Sequence, residues 1–225
     1  MISAPPKPKP VNTGAAANAL ACLFDYPGDG FTAYLDRALV LVHSSWLEEF
    51  SNAMLALAPD TREELHAATF EVTPACVPYA GIHLFGEENF KRGEFMAALF
   101  ARYQETGFDC GGELPDHVAN LLRYLGRCEA DEQRELAEFC LLGPLEKMIG
   151  ALNDHNPYRL LLLSVSDWLM QEFPDALAVP MPGRSPGAAA IGCGGCSCDT
   201  TTTPQSPSTP PILHDQEILT GSHYD

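Results

Sequence analysis

The residues best suited to chemistry lie close to the C-terminus. Cys193, Cys196 and Cys198 form a C-x-x-C-x-C motif with two glycines between the first pair. Thiolates are soft ligands, so these three side chains could contact zinc or part of an iron–sulfur cluster. Three thiolates leave a four-coordinate site one ligand short, although His214 and His223 lie in the same tail. Redox or disulfide chemistry, or no function, are the alternatives that the motif leaves open.

A second group of polar residues is Glu113, Asp116 and His117, in the sequence Glu-Leu-Pro-Asp-His. Paired carboxylates can act as a general acid and base, but nothing near them specifies a substrate. The chain has no G-x-S-x-G, no H-E-x-x-H, no P-loop and no dinucleotide-binding glycine motif. These observations favour a binding protein over an enzyme.

The elements that position these residues are helices. Apolar residues recur at helical spacing from residue 14 to residue 175, and no stretch alternates well enough to predict a strand. We therefore expect a single all-α domain of about eight or nine helices, with a linker at 72–78 and a break at Gly143-Pro144. Pro115 should occupy the first turn of a helix. Asp116 and His117 would then lie at its positive end.

A helix is expected to begin near Asn89 and to end at Gly107, a natural helix C-cap. Met96, Leu99 and Phe100 are predicted to face the core, because helical spacing explains all three. Arg92 is expected to pair with Glu88 or Glu113.

Both ends of the chain differ from this domain in composition. Residues 1–13 are rich in proline and lysine, and residues 176–225 are rich in proline, threonine and cysteine. Neither end shows helical periodicity, so both are predicted to be disordered tails.

The net charge is strongly acidic, since 13 basic and 30 acidic residues give −17. Nucleic acid and anionic membrane surfaces are therefore poor partners, whereas a basic peptide is a suitable one. Neither a signal peptide nor an apolar run long enough to span a membrane is apparent. We expect a cytoplasmic protein whose cysteines are reduced thiols or metal ligands.

Residues 79–125 form the most distinctive sequence motif in the chain. It contains Tyr79, His83, Phe85, Gly86, Lys91-Arg92-Gly93-Glu94-Phe95-Met96, Leu99, Tyr103, Gly107, Glu113-Leu114-Pro115-Asp116-His117 and Leu122-Arg123-Tyr124-Leu125. These residues resemble the cytoplasmic assembly chaperones of molybdenum enzymes. That family includes the nitrate reductase delta subunit and the chaperones of TMAO and DMSO reductases. The sequence Glu113–His117 is most similar to the nitrate reductase delta subunit.

The resemblance implies an all-helical protein without catalytic activity or a cofactor in its helical domain. Such a chaperone holds an apo catalytic subunit until the molybdenum cofactor is inserted. It binds the N-terminal peptide of that client, which in exported clients is a twin-arginine leader. A nitrate reductase, and hence nitrate assimilation, would be the context that this resemblance favours.

The predicted client-binding residues combine aromatic and acidic groups, as a groove for an amphipathic basic peptide requires. They are Tyr79, His83, Phe85, Glu113, Asp116, His117 and Tyr124. The resemblance assigns client contact to Asp116 and His117, while Tyr79, His83 and Phe85 could equally pack in the core. The alternative function is a metal-delivery or redox accessory protein acting through the cysteine tail. A helical scaffold without a peptide site is the third possibility.

Overall fold

The computed structural model describes residues 13–176, and within them every regular element is helical. The α-helices are α1 Thr13–Ala21, α2 Phe31–Leu41, α3 Ser45–Leu55, α4 Pro59–Phe70, α5 Ala80–Phe85, α6 Phe90–Thr106, α7 Val118–Leu125, α8 Ala130–Glu135, α9 Leu142–Ala151 and α10 Tyr158–Glu172. A 3₁₀ turn, Cys22–Phe24, follows α1, and a π-helical turn, Leu136–Leu141, joins α8 to α9. If α8, the π-helical turn and α9 are taken as one run, this part of the chain has nine helices, so the all-α prediction is confirmed.

The core forms around α7 and α1. Residues 118–122 and 124–125 of α7 are all buried, since its apolar side chains are packed on several sides. Alanine-rich α1 lies directly against it, and the carbonyl oxygen of Gly14 is so close to Gly126 that a Cβ there would lie 2.9 Å away. Small side chains therefore allow the two backbones to approach closely.

A second part of the core joins α3, α4 and α10. The ring of Tyr158 lies 5.6 Å from that of Phe50 and 4.8 Å from that of Phe70, both in tilted or edge-on geometry. Such aromatic pairs add roughly 0.5–1.5 kcal/mol to the burial of their area. This packing holds the C-terminal end of α4 in place, where it borders the groove described below.

The structure corrects three details of the helix prediction. The linker expected at 72–78 is non-helical, but it is followed by a short helix, α5, that the sequence did not predict. Helix α7 begins at Val118, so Pro115 and Asp116 precede the helix instead of forming its first turn. No break occurs at Gly143-Pro144, because Pro144 lies in the first turn of α9, where no backbone N–H is needed.

The predicted core of α6 is only partly right. Leu99 is buried, whereas Met96 is partly exposed and Phe100 is 49% exposed. Helical spacing alone made the apolar face of α6 too wide, because only Leu99 and Tyr103 of this helix are fully covered by neighbours. Gly107 ends α6 in the left-handed conformation (φ 65°), as a C-cap glycine is expected to do.

No helix in the described part of the chain is both long and apolar enough to cross a membrane. The predictions of disorder for residues 1–12 and for the tail after residue 176 concern segments outside the described residues.

Candidate functional site

Two short backbone hydrogen bonds join the turn at Pro78–Ala80 to the loop that precedes α7. The N–H of Ala80 donates to the carbonyl of Asp116 (2.8 Å), and the N–H of Val118 donates to the carbonyl of Pro78 (2.9 Å). They form an isolated antiparallel bridge between Tyr79 and His117. Two parts of the distinctive stretch, nearly 40 residues apart in sequence, therefore meet at one place.

Asp116 points inward from this bridge. It is completely buried, and its Oδ2 accepts a hydrogen bond from Nε of Arg92 at 3.1 Å. Arg92, which was expected to pair with Glu88 or Glu113, also lies 5.8 Å from the centre of the Tyr79 ring. A Cβ on Gly81 would lie 2.6 Å from Oδ2 of Asp116. Asp116 thus anchors the loop from beneath and does not reach the surface.

Tyr79, Glu113 and His117 form a cluster above this anchor. The Tyr79 hydroxyl donates to Oε1 of Glu113 (3.0 Å), and the Tyr79 and His117 rings meet edge to face at 5.4 Å. Burial, and then the Glu113 acceptor, raise the pKa of Tyr79 to about 12, so its hydroxyl remains a donor at neutral pH. Three of the predicted site residues are therefore in direct contact.

His117 also caps helix α7. Its Nδ1 accepts a hydrogen bond from the N–H of Ala119 (3.2 Å), which satisfies one of the free donors at the start of the helix. Because Nδ1 accepts, the neutral ring carries its proton on Nε2. Burial lowers the pKa of His117, which keeps the ring neutral.

The cluster lines one side of a groove of about 590 Å³, which we call the acidic groove. Its other side comes from the first third of the chain and the end of α4. The lining residues are Phe24, Asp25, Tyr26, His66, Phe70, Glu71, Pro74, Pro78, Tyr79, Cys110, Glu113, His117, Asn120 and Arg123. The groove has the aromatic walls and carboxylates that a basic amphipathic segment needs.

The charges of the acidic groove are unevenly neutralised. Arg123 forms an ion pair with Asp25, whereas Glu113 has only the Tyr79 hydroxyl and its neighbouring backbone as partners among the described residues. The carboxylate of Glu71 lies 3.3 Å from Nδ1 of His66, whose Nε2 lies 3.0 Å from the carbonyl of Phe24. Glu71 and Glu113 are therefore the two carboxylates of the groove that no Arg or Lys of residues 13–176 neutralises.

The other predicted residues lie away from the acidic groove. Nε2 of His83 contacts the carbonyl of Val77 (2.7 Å), and the Phe85 ring packs against Phe95. Tyr124 is buried, and its hydroxyl donates to Oε1 of Glu132 (2.8 Å). It borders a separate cavity of about 270 Å³ beside α6 and the π-helical turn.

Sequence reasoning did not identify the far wall of the groove. The far wall is formed by residues that lie 46 to 92 positions before His117, namely Asp25, Tyr26, His66 and Glu71. His66 follows the apolar spacing of α4, and Glu71 simply follows that helix. Neither position carries a signal that distinguishes it from ordinary helix packing.

Across residues 13–176, no group of three or more His, Cys, Asp or Glu side chains could hold a metal ion. Cys193, Cys196 and Cys198 lie outside the described residues, so their metal contact stays a prediction.

The described part of the chain is therefore all-helical, with a groove that combines aromatic walls and carboxylates. The chain belongs to the nitrate reductase delta subunit family, whose model matches residues 37–158, more than half of the sequence. This match confirms the resemblance seen at residues 79–125. The family acts generally in molybdoenzyme assembly as non-catalytic chaperones. No curated protein matches the chain.

The family match covers most of the acidic groove. Only Phe24, Asp25 and Tyr26 lie before residue 37, whereas the other lining residues fall within the match.

Proposed function

We propose that this protein is a chaperone for the catalytic subunit of a molybdopterin oxidoreductase of the nitrate reductase type. It binds the apo subunit through its N-terminal peptide and keeps it competent for insertion of the molybdenum cofactor. The acidic groove carries this proposal, because its size, aromatic walls and free carboxylates suit a basic peptide segment. Family membership supports the same class of role.

Within the groove, Tyr79, Glu113 and His117 contact the client on one side. Glu71 faces it from the other side. Glu71 and Glu113, which no Arg or Lys within the described residues neutralises, attract the Arg or Lys residues of the client. Arg123 does not repel the client, because its charge is offset by Asp25.

The remaining predicted residues support the groove instead of lining it. Asp116 holds the 113–117 loop through Arg92, and Tyr124 and His83 fix the elements on either side. Phe85 packs against α6. Their substitution would act through the position of Tyr79 and His117.

The client is met before it leaves the cytoplasm, where cofactor insertion takes place. An exported client would present a twin-arginine leader to the groove, and a cytoplasmic client would present an untargeted N-terminal helix. Both supply apolar residues next to basic ones, which is the chemistry that the groove accepts.

Calorimetry tests the groove directly. The full-length protein is titrated with a synthetic peptide covering the N-terminus of a nitrate reductase catalytic subunit. We expect the Glu71→Gln, Glu113→Gln double variant to weaken binding by about tenfold or more, because it removes both free carboxylates with little change in shape. The control is Glu87→Gln, Glu88→Gln, which makes the same change in charge on exposed residues that do not line the groove.

An equal loss of affinity in both double variants would show that the peptide responds to the overall charge of the protein and not to the groove carboxylates. Unchanged affinity in the groove variant would remove the groove from the client site. The client itself is identified by isolating the native complex, which should contain the catalytic subunit without molybdenum cofactor. Its absence from complexes isolated under cofactor-limited growth would contradict the chaperone role.

A further inference from the structure

The outward face of α6 carries exposed aromatic and alanine side chains that no described element covers. Helical spacing places Phe90, Glu94, Ala97 and Ala101 along one line, and all four are exposed. Phe90 is 80% exposed, and Phe100, beside the line, is 49% exposed. The opposite side of the helix uses Leu99 and Tyr103 to pack on the core.

The charged residues of this face are arranged symmetrically about its middle. Lys91 and Glu105 lie seven residues to either side of Ala98, and Glu94 and Arg102 lie four residues to either side. At 100° per residue, all four fall on the same flank of the helix. Each of these charged residues therefore has a residue of opposite charge at the same distance on the other side of Ala98.

We propose that two copies of this chain associate through α6, packed antiparallel about a two-fold axis near Ala98. In such a pair, like flanks of the two helices face each other, so Lys91 of one copy meets Glu105 of the other. Glu94 meets Arg102 in the same way. A two-fold interface must be self-complementary, and this helix face has that property.

The packing between these charged ends suits close helix contact. Ala97, Ala98 and Ala101 occupy the centre, so the two backbones can approach closely, and Phe100 covers the opposite flank. The charge of −17 on each copy opposes self-association in general, so a contact surface must place opposite charges together. The face of α6 does so twice per copy.

Two of the four charges on this flank have no ion-pair partner among residues 13–176, and the other two are paired with each other. Lys91 and Glu94 form no side-chain ion pair with any residue in 13–176. Arg102 contacts Glu105 of its own helix (3.2 Å) and, at 4.0 Å, Glu132. Since Arg102 and Glu105 are more than 60% exposed, both can also reach a second copy.

Sedimentation equilibrium of the full-length chain over a range of concentrations tests this surface. Because one helix pair is smaller than a standard interface, we expect a reversible dimer with a Kd on the order of 10–100 µM. Lys91→Glu or Glu105→Lys alone creates two like-charge contacts per dimer and should weaken association about tenfold or more. The Lys91→Glu, Glu105→Lys double variant exchanges the charges and should restore association.

Glu49→Lys, on the exposed side of α3, is the matched control for Glu105→Lys and should leave the Kd of the dimer unchanged. Circular dichroism verifies that each variant remains helical. A wild-type monomer at all concentrations up to about 500 µM would overturn the proposal, as would single variants that associate normally. A double variant that stays monomeric would also overturn it, because the antiparallel register predicts recovery.

Hydrogen exchange of the α6 amides distinguishes coverage of this face by a second copy from coverage by another segment of the same chain. Protection that rises with protein concentration supports the dimer. Strong protection that is independent of concentration would assign the face to another segment of the same chain and overturn the proposal.

Discussion

His117 illustrates how one side chain serves both the fold and the groove. Its Nδ1 caps α7 by accepting the Ala119 N–H, and its ring lies against Tyr79 on the groove wall. Only the neutral ring can accept that hydrogen bond. Glu113, Asp25 and Asp116 favour the charged ring and Arg123 opposes it, but the desolvation caused by burial is the largest effect and lowers the pKa.

Replacing His117 by Asn should reduce the loss of stability at mildly acidic pH. The pKa of His117 is below 6.5 in the folded chain, so the unfolded chain takes up a proton first as the pH falls. The stability that the neutral ring contributes is complete above about pH 6.5 and is lost as the pH falls through the folded-state pKa. Asn also caps helices but does not titrate.

Urea unfolding at several pH values between 5 and 7.5 measures this effect. The free energy of unfolding of His117→Asn should fall less steeply than that of the wild type, although His83, whose pKa burial also lowers, retains part of the slope. His43→Asn, at an exposed position, is the control. Identical slopes for the wild type and His117→Asn would show that the cap is not lost on protonation.

The sequence predicted only those residues of the site that belong to one short stretch of the chain. Tyr79, Glu113 and His117 belong to one distinctive stretch, so their common location could be anticipated. Asp116 could not be oriented correctly, because α7 begins three residues later than Pro115 indicated. His66 and Glu71 reach the groove through the packing of α4 on α10, and such long-range contacts leave no trace in helical spacing.

At the scale of elements, an interior ion pair holds α6 to the 113–117 loop, and a backbone hydrogen bond from Ala80 holds α5 to the same loop. Arg92 reaches Asp116 from α6, and Gly81 in α5 passes directly beside that pair. Only a residue without a Cβ fits there. The site therefore depends on three elements that meet around a buried carboxylate, which is costly to leave unpaired.

Two glycine substitutions distinguish the effect of this close approach on stability from the effect of helix propensity. The Cβ of Gly81→Ala would lie 2.6 Å from Oδ2 of Asp116 and 3.0 Å from Cγ of Arg92, so we expect a loss of about 1–3 kcal/mol. Gly93→Ala has no atom within 4 Å and should stabilise α6 by about 0.5–1 kcal/mol.

Urea unfolding of both variants at low protein concentration measures the difference. If Gly81→Ala proves as stable as Gly93→Ala, the Asp116–Arg92 pair can move without cost and does not fix the loop. Peptide affinity should decrease only for Gly81→Ala, since Gly93 does not line the groove.

Most helices were predictable because their signals are local. Apolar periodicity, the helix start near Asn89 and the Gly107 C-cap all depend on residues close together in sequence, and the structure retains them. The predicted break at Gly143-Pro144 was wrong because the preceding π-helical turn leads directly into α9 and places Pro144 in the first turn of that helix. The short helix α5 lacked a signal of its own, since its six residues fold against α6 and α9.

At the scale of the whole molecule, the charge of −17 adds a long-range attraction for basic peptides to the short-range contacts of the groove. These two effects respond differently to salt. The Debye length falls from about 10 Å at 0.1 M to about 3 Å at 1 M, so salt screens distant charges first. Contacts with aromatic walls such as Phe24 and Phe70 are not weakened in this way.

We therefore expect salt to slow association of the client peptide more than it accelerates dissociation. Between about 0.1 M and 1 M NaCl, the association rate constant for an Arg-bearing peptide should fall by about tenfold, with a smaller change in the dissociation rate constant. Stopped-flow fluorescence measures both rates.

A peptide with its Arg residues changed to Gln is the control and should associate at a rate that depends little on salt. The Glu71→Gln, Glu113→Gln protein should retain most of the salt dependence of association, because the remaining acidic residues of the chain still attract the peptide, but it should release the peptide faster. Equal association rates for the charged and uncharged peptides at low salt would show that the acidic surface does not guide the client to the groove.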